Sequence, residues 1–321
     1  MKYLAVCVFP FLAALVACGT EGFDKQSNIN TLRVLAVRAD NPYPLPGDTV
    51  DLEMLWHDGK APVDEPRPVQ ILWLGSCFNP LGDYFNRCYP QLAEKLADVR
   101  EDPSLAPHLF GFGDSFQMTI PEDLISRRPT VQGLEPYGLT FVFFAVCAGR
   151  IGPANPEKQG MPFGCFDEAG KQLGSEDFVP GYLGLYSFEH RTNTNPVLNG
   201  FLIDEKPVDQ NDLPVFSRCT KQSCAKLRLR VLVDPNSVEL ASGFVDAHGK
   251  TITEQMWVEY LSTGGTIASG PRLVNDGTHG FSEDNGTDYT PPSVAGKQYL
   301  FAVVRDSRGG TAWIKQGVMF E

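Results

Sequence analysis

The chain has 321 residues, of which 42% are hydrophobic, and a formal net charge of −12 at pH 7. This length is sufficient for two domains of ordinary size, each with its own core. Because such an excess of carboxylates repels phosphate, the composition argues against a nucleic-acid partner.

The first seventeen residues have the composition of a secretory signal. Lys2 supplies a positive charge, and an apolar run from Leu4 to Ala17 follows it. The run is too short to cross a bilayer as a stable helix, and Pro10 interrupts it. We therefore predict that residues 1–17 are removed, which takes away Lys2 and changes the formal net charge to −13.

The residues Leu15-Val16-Ala17-Cys18 resemble the lipobox of bacterial lipoproteins, in which signal peptidase II cuts before a diacylated cysteine. An ordinary signal-peptidase cut after Ala17 would need a small residue at position 15, which leucine is not. The resemblance implies a lipid anchor on Cys18 and a location in the cell envelope. Gly19, rather than aspartate, follows the cysteine, which implies the outer membrane. Residues 18–30 are predicted to be the lipidated cysteine and a flexible tether.

Six cysteines remain after Cys7 leaves with the signal and Cys18 is lipidated. An exported protein occupies a compartment that permits disulfides, although six cysteines allow 15 connectivities. The sequence has no CxxC motif and its histidines are scattered, so we predict no metal site and no cofactor. The cysteines fall into three local couples, which are Cys77 with Cys88, Cys147 with Cys165, and Cys219 with Cys224.

Strand patterns dominate the rest of the chain, and only Gln91–Val99 is predicted to be a helix. The run Thr49–Trp56 alternates apolar and polar residues with the period of a half-buried strand, and Leu139–Cys147 is almost wholly apolar, as in a central strand. The other predicted strands are Leu32–Ala39, Val69–Leu74, Phe116–Ile120, Tyr182–Phe188, Gly200–Asp204, Lys226–Val233, Met256–Tyr260, Tyr299–Val304 and Ala312–Phe320.

These strands divide into two similar halves, each of which resembles an immunoglobulin-like or fibronectin-III-like sandwich. The predicted fold class is therefore all-β, with two tandem β-sandwich domains over residues 31–191 and 192–321. The boundary is placed near the polar stretch Asn193–Pro196. Trp56 and Trp257 are the predicted core tryptophans.

The predicted strand order constrains the disulfides. If Val69–Cys77 and Leu139–Cys147 are antiparallel neighbours, Cys77 and Cys147 lie at opposite ends of the pair. That separation is several strand rises and exceeds the reach of a disulfide, so the local pairing is favoured.

The Pro46-Gly47-Asp48 turn and the Arg308-Gly309-Gly310 hairpin resemble those of the envelope lipoproteins of myxobacteria and their relatives, which carry immunoglobulin-like modules. The resemblance implies a non-enzymatic protein that is either structural or a binding module. A protein or glycan partner is expected at loops 75–115, where six aromatic residues cluster. In the alternative interpretation these rings cap the end of the sandwich. They are Phe78, Tyr84, Phe85, Tyr89, Phe110 and Phe112.

A surface serine hydrolase is a second functional hypothesis. Phe112-Gly113-Asp114-Ser115 resembles the nucleophile block of GDSL hydrolases, and Asp276-Gly277-Thr278-His279 resembles their Asp-x-x-His block. The resemblance implies that Ser115 attacks, that His279 is the base and that Asp276 orients it. Ser115 opens a strand pattern, however, and the residue after it is not the leucine of that family.

The oxygen-rich segment 283–288 is a weak calcium candidate through Glu283, Asp284, Asn285 and Asp288, which would suit a calcium-binding adhesion module. The spacing departs from that of an EF-hand. A solvated hairpin turn, which Asn-Gly favours, explains the same residues.

Cys18→Ala tests the lipid anchor. Cells grown with a labelled fatty acid should incorporate label into the natural protein and none into this variant, because the acyl chains attach to that cysteine. Label retained by Cys18→Ala would contradict the lipobox interpretation.

Overall fold

The computed structural model describes residues 25–130, 133, 135–154, 163–268 and 270–321. Strands dominate these ranges, and the longest helix there has 14 residues, so the predicted all-β class is confirmed. Within the described ranges, no helix combines the length and apolar character needed to cross a membrane. The predicted signal and Cys18 lie outside the described residues.

The described strands from Leu32 to Phe188 form a sandwich, here called the N-terminal sandwich, whose two main sheets are antiparallel. One sheet has the order β1-β2-β5, and the other has the order β4-β3-β6-β9. The strands are β1 Leu32–Ala39, β2 Thr49–Asp58, β3 Gln70–Phe78, β4 Phe110–Phe112, β5 Ser115–Thr119, β6 Tyr137–Cys147, β7 Arg150–Pro153, β8 Phe163–Phe166 and β9 Phe178–Phe188, with β7 and β8 forming a separate hairpin.

Residues 198–320 form the C-terminal sandwich. Its sheets have the orders β11-β10-β13-β20-β17 and β12-β22-β21-β16-β18-β19, and β14 pairs with β15. The strands are β10 Leu198–Ile203, β11 Lys206–Val208, β12 Val215–Phe216, β13 Leu227–Val233, β14 Leu240–Val245, β15 Thr251–Thr253, β16 Met256–Ser262, β17 Thr266–Ile267, β18 Arg272–Asp276, β19 Gly280–Phe281, β20 Thr287–Thr290, β21 Gly296–Asp306 and β22 Thr311–Phe320.

The two sandwiches share one connectivity. Strands β10, β13 and β20 pair as β1, β2 and β5 do, and the order β18-β16-β21-β22 repeats β4-β3-β6-β9. This arrangement of three and four core strands in two packed sheets is consistent with the immunoglobulin-like resemblance.

Each sandwich encloses its own core, and the first is built around Trp73. Trp73 has no exposed surface, and its Nε1 donates to the carbonyl of Gly113 at 2.9 Å. Trp56 packs against the edge of this core. The prediction for Trp257 was wrong, because Met256 and Val258 point into the second core and the intervening residue therefore faces outward.

The two α-helices of the described ranges lie between β3 and β4. Helix α1 spans Cys88–Glu101 and helix α2 spans Ala106–Leu109. The sequence pattern located α1 correctly but placed its ends too far inward. Residues 79–109, which contain both helices, are called the excursion below.

The six cysteines form the three local disulfides that were predicted. Cys77 pairs in register with Phe141, while Cys147 pairs with Gln70 at the other end of the same two strands. The strand order thus separates Cys77 from Cys147, as the sequence argument required. The Cα atoms of the Cys77–Cys88 and Cys147–Cys165 pairs are each 5.5 Å apart.

The outer face of the β1-β2-β5 sheet packs on the outer face of β16, β21 and β22. A bulge in β1 leaves Leu35 unpaired between Val34 and Ala36, and Leu35 joins Phe301 in the contact. Arg305 Nη2 donates to the carbonyl of Leu35 at 2.6 Å. The buried residues of this contact are Ile29, Leu35, Ala36, Leu55, Leu261, Phe301 and Val303.

The predicted boundary segment is fixed in place. Asn193 is 3% exposed, and its side-chain amide donates to Asp306. Asn195 Nδ2 donates to the carbonyl of Ala39 at 2.8 Å, and its Oδ1 accepts from Thr311 N at 2.8 Å. The segment therefore bonds both sandwiches at the turn between β21 and β22.

The first described residues contact the C-terminal sandwich before β1 begins. Asn28 forms a parallel bridge with Ser262, the last residue of β16. Ile29 N donates to the Ser262 carbonyl at 2.9 Å, and Ser262 N donates to the carbonyl of Ser27 at 2.9 Å.

The division into domains at residues 191 and 192 stays a prediction, and Phe301 offers a test. In the full chain Phe301→Ala should lower the free energy of unfolding by about 3–5 kcal/mol, because the buried ring loses contacts from both sandwiches. In an isolated fragment 192–321 the loss should be much smaller, since one side is already exposed.

The control is Ile314→Ala, which removes a side chain from the second core alone. Its cost should be about 2–5 kcal/mol in both contexts by urea unfolding. A fragment without a cooperative transition would contradict the predicted boundary.

Candidate functional site

The excursion lies against the outer face of the β4-β3-β6-β9 sheet. The Cys77–Cys88 disulfide joins the end of β3 to the first residue of α1, and both cysteines are fully buried. The Gln91 side chain accepts from Phe78 N and donates to the Phe78 carbonyl, each at 3.2 Å. The start of the helix is therefore fixed to β3 by a covalent bond and a two-point hydrogen bond.

One face of α1 points to the sheet. Tyr89, Leu92, Ala93 and Leu96 have the 3, 4 and 7 spacing that places side chains on one helix face. Leu92 is buried with Leu74 and Phe141 of the sheet. This helix covers part of the apolar side chains on the outer face of the central strands.

An apolar cavity of about 490 Å³ lies between α1 and the sheet. None of its lining residues is charged. Phe85 and Tyr182 stack at its rim with ring centroids 4.6 Å apart, and Tyr182 is 47% exposed. The cavity is lined by Leu72, Leu74, Phe85, Tyr89, Leu92, Ala93, Leu96, Phe143, Phe144, Ala145, Phe163, Pro180, Gly181 and Tyr182.

A second hollow of about 660 Å³ adjoins the first and shares Leu72 and Phe163 with it. Phe110 and Phe112 of β4 form one wall, and the Phe112 side chain is 77% exposed. The apolar surface thus continues from the helix across the edge strand β4.

Some of the six aromatic residues of loops 75–115 lie on the surface, as a binding loop would require, and others pack against the sandwich, as capping rings would. Phe85 and Tyr89 line the cavity, Tyr84 and Phe112 are largely exposed, and Phe78 and Phe110 pack against buried clusters. Sequence reasoning missed the half of the cavity that the sheet contributes, including Phe143 and Tyr182. The signal was present, since β6 is apolar on both faces and so needs a cover outside the sandwich.

The residues of the hydrolase hypothesis lie in both sandwiches. Ser115 is the first residue of β5 and pairs with Glu53 of β2. Asp276 and His279 flank the turn between β18 and β19. Asp276 Oδ1 lies 3.0 Å from His279 Nδ1, and hydrogen bonds from Thr278 and His279 lower the pKa of Asp276. The side chain of His279 is 88% exposed.

The neighbours of Ser115 have structural partners. Asp114 Oδ1 accepts from Trp56 Nε1 at 2.8 Å, and the Gly113 carbonyl accepts from Trp73. The resemblance to a nucleophile block therefore coincides with a turn that satisfies two tryptophan N–H groups.

Three of the four weak calcium candidates bond to other side chains or to the backbone of the same chain. Arg228 pairs with Asp284 at 2.6 Å and with Asp288 at 3.3 Å. Asn285 is buried, where its Oδ1 accepts from the Tyr260 hydroxyl and its Nδ2 donates to the Val231 carbonyl. Glu283 lies on the exposed surface. Among the described residues, no three His, Cys, Asp or Glu side chains are grouped to hold a metal ion.

A polar cavity of about 600 Å³ lies at the junction of the sandwiches, where Tyr43 and Arg191 meet Glu254, Asp276 and Arg308. Glu254 Oε1 accepts from Glu239 N at 3.0 Å, and its Oε2 accepts from Arg308 Nε at 3.1 Å. Burial, with the nearby Asp306 carboxylate, raises the pKa of Glu254 to about 8 in spite of the arginine.

No protein-family model matches the sequence, and no curated protein matches it. Dimeric latent PorU from Porphyromonas gingivalis matches with 10% identity and a TM-score of 0.21, over 92% of this chain and 24% of that one. Escherichia coli alpha-2-macroglobulin activated by porcine elastase matches with 9% identity and a TM-score of 0.21, over 92% and 22%. The chain spans about a quarter of the length of these two proteins, and at such TM-scores neither likeness supports a fold or a function.

Glu254→Gln tests the junction. The folded chain keeps the Glu254 proton up to about pH 8, whereas the unfolded chain loses it above its ordinary pKa of 4.5. This contribution to stability is therefore full below pH 4.5 and is lost as the pH rises to about 8. We expect the urea midpoint to fall less between pH 5 and 8 in this variant than in the natural chain.

The matched control is Glu283→Gln, which changes an exposed carboxylate. It should leave the pH dependence of the midpoint unchanged. An unchanged dependence in Glu254→Gln would show that the Glu254 carboxyl is not the titrating group.

Proposed function

We propose that the protein is a non-enzymatic lipoprotein of the cell envelope, anchored through Cys18, that binds a macromolecular partner with the excursion. The observation that carries the proposal is the exposed apolar surface of a disulfide-fixed excursion, on which Leu81 and Tyr84 lie.

Exposed apolar side chains around the cavity support a binding surface. Leu81 is 78% exposed and Tyr84 is 65% exposed, and both precede α1 in the excursion. Large apolar patches on a soluble protein surface commonly mark interaction sites. The excursion presents these side chains from a rigid base, because the disulfide and Gln91 fix it to β3.

Three disulfides and the signal-like N-terminus support export to an oxidising compartment. The acyl chains on Cys18 would hold the protein at the outer membrane and leave the excursion available to a partner. The described lining of the cavity contains no charged side chain, and a binding role does not need one.

Photo-crosslinking tests the proposed surface. A photoreactive amino acid at Leu81 should give a discrete cross-linked product in intact cells, because this position lies on the binding surface. The control position is Val294, which is 69% exposed in the C-terminal sandwich and should give none. The absence of a product at Leu81, or equal products at both positions, would contradict the proposal.

A further inference from the structure

The lining of the helix–sheet cavity restricts the chemistry of its occupant. The fourteen lining residues include no charged side chain, and the only polar side-chain groups are the hydroxyls of Tyr89 and Tyr182. A polar group placed deep in the cavity would lose its bonds to water and gain few in return. The occupied part of a ligand must therefore be hydrocarbon.

The cavity follows α1 and continues into the second hollow, which favours a chain over a compact group. The lining residues of α1 run from Tyr89 to Leu96, which corresponds to about 10 Å along a helix axis. The opposite wall is the outer face of β3, β6 and β9, which contributes Leu72 and Phe143. The space is thus a slot between a helix and a sheet, and it is extended by the mostly apolar hollow that shares Leu72 and Phe163 with it.

The slot reaches solvent at one side. Phe85, Tyr89 and Tyr182 line it and are each between 38% and 47% exposed, so their rings form a rim. A ligand with a charged head could keep that head in water while its tail lies in the slot. An amphiphile with one hydrocarbon tail satisfies both conditions.

We propose that this cavity binds the hydrocarbon tail of a long-chain fatty acid, with the carboxylate outside the rim. The inference deepens the proposed function and rests on its choice of the excursion as the binding region. The fatty acid would lie under α1, whereas the macromolecular partner would contact Leu81 and Tyr84 on the outside.

The test uses the mature chain with Cys18→Ala, so that no covalent acyl group competes. Cis-parinaric acid, a fluorescent fatty acid, should bind saturably with one site per chain, and palmitate should displace it. Ala93→Trp places an indole in the slot, where it occupies space that the fatty-acid tail would fill. It should weaken binding by about tenfold or more, because the tail then loses apolar contact area with the lining.

The matched control is Ala97→Trp, one helical turn further along, which adds the same side chain at a position that does not line the cavity. It should change the dissociation constant by less than about twofold, as expected for a surface substitution. Leu96→Gln adds polarity without bulk to the lining and should weaken binding as Ala93→Trp does. Urea unfolding of each variant shows that the sandwich is intact.

Three results would overturn the inference: no saturable binding, equal binding by Ala93→Trp and Ala97→Trp, or adsorption to phosphatidylglycerol vesicles without binding of the free acid. Failure here is distinguishable from failure of the proposed function. A Leu81 cross-link that persists without fatty-acid binding refutes only the cavity ligand. Fatty-acid binding without the Leu81 cross-link refutes only the macromolecular partner.

Discussion

The packing of one sandwich on the other is the contact that organises the molecule. It covers the outer face of the β1-β2-β5 sheet with Phe301 and Val303, so that Leu35 and Leu55 are buried on a face that would otherwise meet water. Among the described strands of the N-terminal sandwich, the other broad face is the outer side of the β4-β3-β6-β9 sheet, which α1 covers incompletely. The apolar cavity therefore lies on the outer sheet face that is covered less completely by other parts of the protein.

The strands were predictable because alternation and apolar runs are local signals. The outer positions of β2 carried a further clue, since Thr49, Asp51 and Glu53 give way to Leu55 and His57. This change marks the point at which the second sandwich covers the strand. Trp257 misled the prediction because residue type was given more weight than the period of two that places it outward.

The cavity was only half predictable. The aromatic residues of the excursion drew attention to their own segment, but the opposite wall comes from residues such as Phe143 and Tyr182, far away in sequence. No local pattern gives the distance between a helix and a sheet that are joined through a disulfide. The strands β12 and β15, of two and three residues, were missed because segments so brief show no period.

The junction holds two groups, the half-buried His57 and the buried Glu254, that both favour their uncharged forms. His57 lies against the rings of Tyr299 and Phe301, and burial together with the charge of Lys315 lowers its pKa to about 4. The pKa of Glu254 is instead raised, mainly by burial. An uncharged base and an uncharged acid each avoid the cost of desolvating an ion at this contact.

The bridge between Asn28 and Ser262 determines how the protein would carry a mechanical load. A pull on the chain ahead of Lys25 would reach residues 26–29, where Ser27 and Ile29 are bonded to β16 of the C-terminal sandwich and the Gln26 carbonyl accepts from Arg33 of β1. Because the two segments run parallel, the force would act along them and load their hydrogen bonds in shear rather than one after another. Tension on this part of the chain would thus be shared between the two sandwiches and would not fall on β1 alone.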